Sequence, residues 1–193
     1  MDIKAYKEAT DMKSKTEIRK EFRQRRRRLT ANDVSSLSEK IAERLIASED
    51  FKRAKTVMLY KSVNNEVSLE GVLDSPLAES KIFTFPVCVS KTEIKAYIPK
   101  EWRKGAFGII EPDPSVSIEV PPEEIDLIIL PGVAFCEDGR RLGMGGGYYD
   151  RFLPKCKNAR TVMVAFECQK ADELPCDGFD KKVDMVLTEK AVY

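Results

Sequence analysis

The chain has 193 residues, one domain at ~100–200 residues per domain, and sets 33 Lys and Arg against 32 Asp and Glu for a net charge of +1. That balance lacks the footprint of a globally basic nucleic-acid binder or an acidic tail protein, and no apolar run reaches the ~20 residues of a bilayer crossing. Five cysteines without a C-x-x-C pair, and no histidine, argue against a disulfide framework and a Cys-only zinc site and remove every imidazole base.

In chain order, residues 1–13 show no amphipathic repeat and read as an arm, leaving 14–193 as a single domain. Nothing at the N-terminus resembles a secretory signal, so a cytoplasmic monomer without membrane contact is expected. Ser14-Lys15-Thr16-Glu17 forms a capping box ahead of a charged helix with a thin stripe of Ile18, Phe22 and Leu29. On that helix Arg23 and Arg25 to Arg28 read as a solvated face. Thr30 to Asp33 offers a second cap, followed by Val34, Leu37, Ile41, Leu45 and Ile46 at helical spacing. Residues 56–60 read as a first strand, 69–73 as a short helix, and 81–89 and 93–98 as strands. Residues 99–122, rich in Gly, Pro and charge, read as a long connection. Residues 125–133 form the most apolar stretch, a strand buried on both faces as in a parallel sheet, and 159–166 and 183–187 share its character. The order predicts an α/β fold: three layers, α/β/α, with a mainly parallel sheet and two helices ahead of the first strand.

After the most apolar strand comes G-R-R-L-G-M-G-G-G-Y-Y-D over 139–150, and then a helical pattern. Glycines permit close backbone approach, and a helix start presents free N–H groups, so the unit suits phosphate. Its spacing is neither Walker A nor Rossmann. Arg140 and Arg141 supply guanidinium forks for phosphate oxygens, and Asp150 is placed for Mg²⁺, with a helix-start carboxylate as its plain alternative. Tyr148 and Tyr149, as successive phenols, are expected to point to opposite sides.

The run L-P-G-V-A-F-C-E-D-G-R-R-L-G-M-G-G-G-Y-Y-D-R-F-L resembles the signature of the 5-formyltetrahydrofolate cyclo-ligase family, and agreement extends from about residue 14 along nearly the whole chain. The helix pair Lys15 and Arg19, Glu66 after the first strand, and Gly105, Phe107, Gly108, Ile109, Glu111 and Pro112 in the middle connection match the family's pattern. So do Asp180 and the 183–189 segment near the C-terminus. The resemblance implies an enzyme that uses ATP and Mg²⁺ to convert 5-formyltetrahydrofolate, a reduced formyl-folate, to 5,10-methenyltetrahydrofolate, ADP and phosphate through a phosphorylated formyl intermediate. No enzyme nucleophile is needed, which suits a chain without histidine.

Carried over by position, the resemblance implies ATP contacts at Lys15, Arg19, Arg141, Leu142, Gly143, Met144, Gly145, Gly146, Gly147, Tyr148 and Tyr149, with Arg141 and Tyr149 catalytic. It implies folate contacts at Lys61, Glu66 and Met144 through Tyr148, and Mg²⁺ ligands at Asp150 and Asp180. The first helix must then fold over the nucleotide. Some relatives carry basic residues where this chain has Met144 and Gly146, and many carry His where it has Phe179. Trp102 reads equally as a ligand contact or a core plug. Another phosphate-binding α/β enzyme, such as a sugar-phosphate isomerase, is the alternative, because fold and loop do not determine chemistry. A nucleic-acid module rests on the arginine run alone, and no specific nucleic-acid partner is expected.

Overall fold

The computed structural model describes residues 13–105 and 108–193. The expected arm, apart from Lys13, and Phe107 of the quoted pattern lie outside the described residues. Both predicted capping boxes form. The Ser14 hydroxyl accepts the Glu17 N–H and Glu17 accepts the Ser14 N–H at 2.8 Å, opening α1 (Lys15–Arg27). Thr30 and Asp33 repeat the exchange at the start of α2 (Ala31–Ala47). Such a cap stabilises a helix end by about 1 kcal/mol. The chain continues through α3 (Glu49–Arg53), β1 (Thr56–Met58), α4 (Glu70–Leu73), β2 (Ile82–Cys88) and β3 (Ile94–Ile98).

Residues 99–122 are not a bare connection. They hold a hairpin of β4 (Trp102–Lys104) and β5 (Ile110–Pro112), then β6 (Ile118–Val120), each only three residues long. Next come β7 (Leu127–Leu130), a small hairpin of β8 (Ala134–Phe135) and β9 (Arg141–Leu142), α5 (Tyr148–Phe152), β10 (Arg160–Val164) and β11 (Met185–Leu187). The strand–loop–helix unit expected after β7 is therefore interrupted by a hairpin, and its helix is a little over one turn.

The central sheet has the order β11-β10-β7-β1-β2-β3-β6. β11, β10, β7, β1 and β2 run parallel, and β3 and β6 close one edge antiparallel. β7 sends Leu127 and Ile129 to the face covered by Ile41, Leu45, Phe51 and Val72 of α2, α3 and α4. Ile128 and Leu130 face the opposite layer of Phe152, Leu153 and Cys156. This is the two-sided burial that its unbroken apolar run foretells. The second outer layer is thin, built from α5 and a 3₁₀ turn. α1 joins neither layer: Ile18 and Phe22 pack on Val133, Ala134, Cys136 and Leu142, so α1 lies across segments that leave the carboxyl end of β7.

From β1 the chain builds the sheet outward through β2 in one direction, and from β7 in the other. The order therefore reverses between β1 and β7. Crevices at the carboxyl ends of strands beside such a reversal are where open α/β sheets bind ligands.

Candidate functional site

A cavity of about 860 Å³ opens at that position, within the ~300–1,000 Å³ of small-molecule sites. One wall is the segment after β1, with Tyr60, Lys61, Asn64 and Glu66. β2 gives Phe85 and Cys88, the β4–β5 turn gives Gly108 to Ile110, α1 gives Arg23, and the glycine loop with α5 gives Gly143, Met144, Gly146, Gly147, Tyr148, Tyr149 and Asp150. The turn before Glu66 places Asn64 and Asn65 in the left-handed region, at φ 51° and 58°. Asparagine tolerates that region better than most residues.

The glycine loop is held by three arginines. Arg19 Nε donates to Gly143 O at 2.9 Å, Arg23 Nη2 to Met144 O at 3.1 Å and Arg151 Nη2 to Gly146 O at 2.7 Å. With these carbonyls drawn to guanidinium groups, the N–H groups of Met144 to Gly147 have no backbone acceptor among the described residues. The loop thus presents amide donors, as an anion site requires. Its glycines are constrained: Gly145 and Gly147 have φ of 110° and 63°, and a Cβ on Gly146 would collide with the Tyr148 ring and one on Gly147 with the Arg151 guanidinium. α5 is too short to contribute much dipole, so positive charge comes from side chains.

Arg141 sits in β9 rather than on a surface loop, its side chain 3% exposed. Its Nη2 donates to Asp150 Oδ1 at 2.8 Å, and its Nε has no acceptor among the described residues. Arg140, just ahead of β9, turns the other way, onto Asp138 and Leu174 O. Of the two arginines expected to meet phosphate, only Arg141 lines the cavity. Tyr148 and Tyr149 both line the cavity, correcting the opposite-sides expectation: on a helix, successive residues diverge by about 100°, not 180°. Burial, then the Glu66 charge, raises the Tyr149 phenol well above its ordinary pKa, so it stays a neutral hydrogen-bond donor.

Glu66 is buried and accepts the Val63 N–H at 3.1 Å. Burial raises its pKa, while Arg26, 3.7 Å away, pulls in the opposite direction. Arg26 is itself buried and donates to Gly132 O at 3.2 Å, and Arg25 is tied to Glu21 at 2.6 Å and covers the Phe22 ring. The arginine run of α1 is thus not one solvated face. Arg23 and Arg26 are site residues that sequence reasoning set aside, although the 15, 19, 23, 26 spacing, one helix face, was a signal for them.

Lys15 pairs with Asp180 and, at 2.7 Å, with Asp177. Burial pushes the Asp180 carboxyl up, but the bonds from Lys15 and the Asp177 N–H, together with the Arg141 charge, outweigh it and hold the carboxyl below its ordinary value. Asp150 thus contacts Arg141 directly and Asp180 feels its charge, although no group of three or more His, Cys, Asp or Glu that could hold a metal occurs among the described residues. Leu142 packs under α1, and Gly145 lies beneath Arg19. Lys61 lines the cavity with its ammonium 4.9 Å from the Trp102 ring centroid, and Trp102 meets Phe85 edge-on at 5.0 Å. Trp102 is 41% exposed and plugs no core. Phe179, 86% exposed, makes no site contact. Gly105 and Glu111 of the middle motif are structural. Glu111 is buried and accepts the Cys88 N–H and Arg103 Nη2, and a Cβ on Gly105 would collide with its carboxylate.

A mainly parallel sheet with a cavity at its reversal point, walled by the glycine loop, Arg23 and Arg141, defines an α/β protein with a site of small-molecule size at the carboxyl ends of its strands. Residues 11–189 match the 5-formyltetrahydrofolate cyclo-ligase family, and the chain belongs to that family. It is 32% identical over 171 residues to the 5-formyltetrahydrofolate cyclo-ligase of Haemophilus influenzae, spanning 85% of this chain and 91% of that one. It is 30% identical over 194 residues to the mouse protein of that name, spanning 91% and 94%. The solved structure of Aquifex aeolicus 5,10-methenyltetrahydrofolate synthetase superposes with a TM-score of 0.81 at 38% identity, covering 92% of this chain and 91% of the other. No helix among the described residues is long and apolar enough to cross a membrane.

Proposed function

We propose that the protein closes the ring of 5-formyltetrahydrofolate to 5,10-methenyltetrahydrofolate, using ATP and Mg²⁺ and releasing ADP and phosphate, as a cytoplasmic monomer. One observation carries the reading: among the described residues the loop amides of Met144 to Gly147 and the Nε of Arg141 have no protein acceptor, and the loop and Arg141 share a cavity with the buried Glu66. Family membership supports the choice of substrate.

The residues fit both implied groups. Unpaired amides and guanidinium N–H donors suit a triphosphate. Asp150 and Asp180 are hard oxygen donors, and Mg²⁺ takes one or two carboxylates beside phosphate oxygens. Bound there, the ion would neutralise phosphate charge. Glu66 accepts the N–H edge of a pterin, and Lys61 covers the neighbouring rim. Held in line, the formyl oxygen forms a bond to the terminal phosphorus as the bridge to ADP breaks, which turns a poor leaving group into a phosphate ester. The folate N10 lone pair then attacks the formyl carbon, the C–O bond breaks with release of inorganic phosphate, and the N10 proton leaves. Arg141 holds the phosphoryl oxygens, and the Tyr149 phenol donates into the cavity without ionising. Positioning and charge neutralisation are the main demands of such a transfer.

The test is to incubate the purified protein with 5-formyltetrahydrofolate and MgATP and follow methenyl-folate absorbance with ADP release. Equal amounts of both products are expected, and none without ATP. Absence of ATP-dependent product overturns the reading.

A further inference from the structure

We infer that Arg23 is a catalytic residue of this site, the cation that meets the non-bridging oxygens of the phosphoryl group in flight. The inference rests on the reaction proposed above and adds a residue that neither the family pattern nor the loop assigns.

Residues 142–150 contain no Lys or Arg, so the loop must borrow its positive charge. α1 lends it in order: Arg19 reaches Gly143 O, and Arg23, one turn on, reaches Met144 O and lies 3.7 Å from the Met144 sulfur. Of these two only Arg23 also lines the cavity. Two guanidinium groups stand on the wall. Arg141 is matched by Asp150, whereas Arg23 has no carboxylate partner among the described residues, and its Nε is buried without an acceptor. Neighbouring Arg26 is already engaged with Glu66. A guanidinium on a cavity wall with no carboxylate partner among the described residues calls for an anionic acceptor from the ligand.

The position of Arg23 over Met144, among the unpaired loop amides, identifies that anion as the terminal phosphoryl group rather than a distant carboxylate of the folate. During transfer the formyl oxygen bonds to phosphorus and the bridge to ADP breaks. Arg23 keeps all its protons and donates hydrogen bonds to oxygens whose charge rises.

The experiment compares Arg23→Gln and Arg23→Lys with wild type, each checked for a native melting profile. For each, kcat, both KM values and the dissociation constants of ATP and ADP are measured. Removing one preorganised donor to a developing charge costs about 100-fold in turnover. We therefore expect R23Q to lose about that much in kcat, to lose its preference for ATP over ADP, and to bind formyl-folate within twofold of wild type. R23K, which keeps the charge but not the fork, is expected to recover part of kcat, and it carries the ATP-to-ADP comparison should R23Q fail to fold. Turnover within threefold of wild type in R23Q, or in R23K where R23Q does not fold, overturns the inference. So does a loss confined to formyl-folate KM that grows with the length of the glutamate tail, which would assign Arg23 to a carboxylate. A wild-type protein without ATP-dependent turnover overturns the proposed reaction and this inference with it.

Discussion

Arg141 and Asp150 form an unequal pair, and the inequality predicts which partner the fold misses more. Arg141 is 3% exposed and Asp150 is 22% exposed. Asp150→Asn strands a buried guanidinium, which costs about 3 kcal/mol. Arg141→Met leaves a carboxylate that water still reaches, and should cost nearer 1 kcal/mol on the scale of exposed pairs. Urea midpoints of the two variants are expected in that order, with both losing most turnover; a more stable D150N would refute the burial argument. The cysteines offer a second residue-level check. Burial pushes the Cys156 thiol up to about 12, so little thiolate forms at pH 8, whereas Cys176 is exposed. Iodoacetamide should therefore label Cys176 in the native protein and Cys156 only after unfolding, as peptide mapping would reveal.

Among the elements, α1 is tethered at its first turn by Lys15 to Asp177 and Asp180. Burial lowers the Lys15 pKa and the two carboxylates more than restore it, leaving it raised, while Asp180 ends lowered. The Asp180 contribution is present above its unfolded pKa of ~3.9 and fades as pH falls through the folded value. The Lys15 contribution is complete below ~10.4 and fades as pH rises through its folded value. Lys15→Met should therefore lower the melting temperature fully between about pH 5 and 9, and by progressively less as pH falls below ~3.9. A difference that stays the same as pH falls below ~3.9 would show that the tether is not ionic. In the β4–β5 hairpin, Gly105→Ala drives a Cβ into Glu111 and should destabilise by about 1–3 kcal/mol, visible as a lower urea midpoint with unchanged slope.

Helices α1 and α2 were legible from their caps, and β7 from its unbroken apolar run, because those signals are local. β4, β5 and β6 were not: three-residue strands carry too little alternation to stand out from the Gly and Pro around them. For the site, the loop glycines, Arg141, Glu66 and Asp150 were legible through motif and resemblance. Arg26 was missed because a charged helical residue is seldom fully buried unless paired, and its partner Glu66 lies 40 positions away. Arg140 was over-read because its neighbour's role was extended to a side chain that turns the other way.

At the scale of the molecule, the site forms where the sheet reverses its order, and α1 closes it as a wall contributed from outside the layers. α1 packs through a small cluster around Ile18 and Phe22, so much of its hold on the cavity is polar and runs through the very groups that would meet phosphate. Binding MgATP should slow amide exchange in α1 and in the 143–147 loop more than in β7, as hydrogen–deuterium exchange would report. Equal protection everywhere would mean that the helix is docked regardless of ligand.

The aromatic pair at the rim has a practical consequence. The chain has a single indole, and it stands beside the Lys61 ammonium and the Phe85 ring. A guest that draws that ammonium away also alters the light the indole emits, so filling of the crevice can be watched without a dye. The same fluorescence titration, carried out with formyl-folate and with nucleotide separately, reports which of the two lies against that rim.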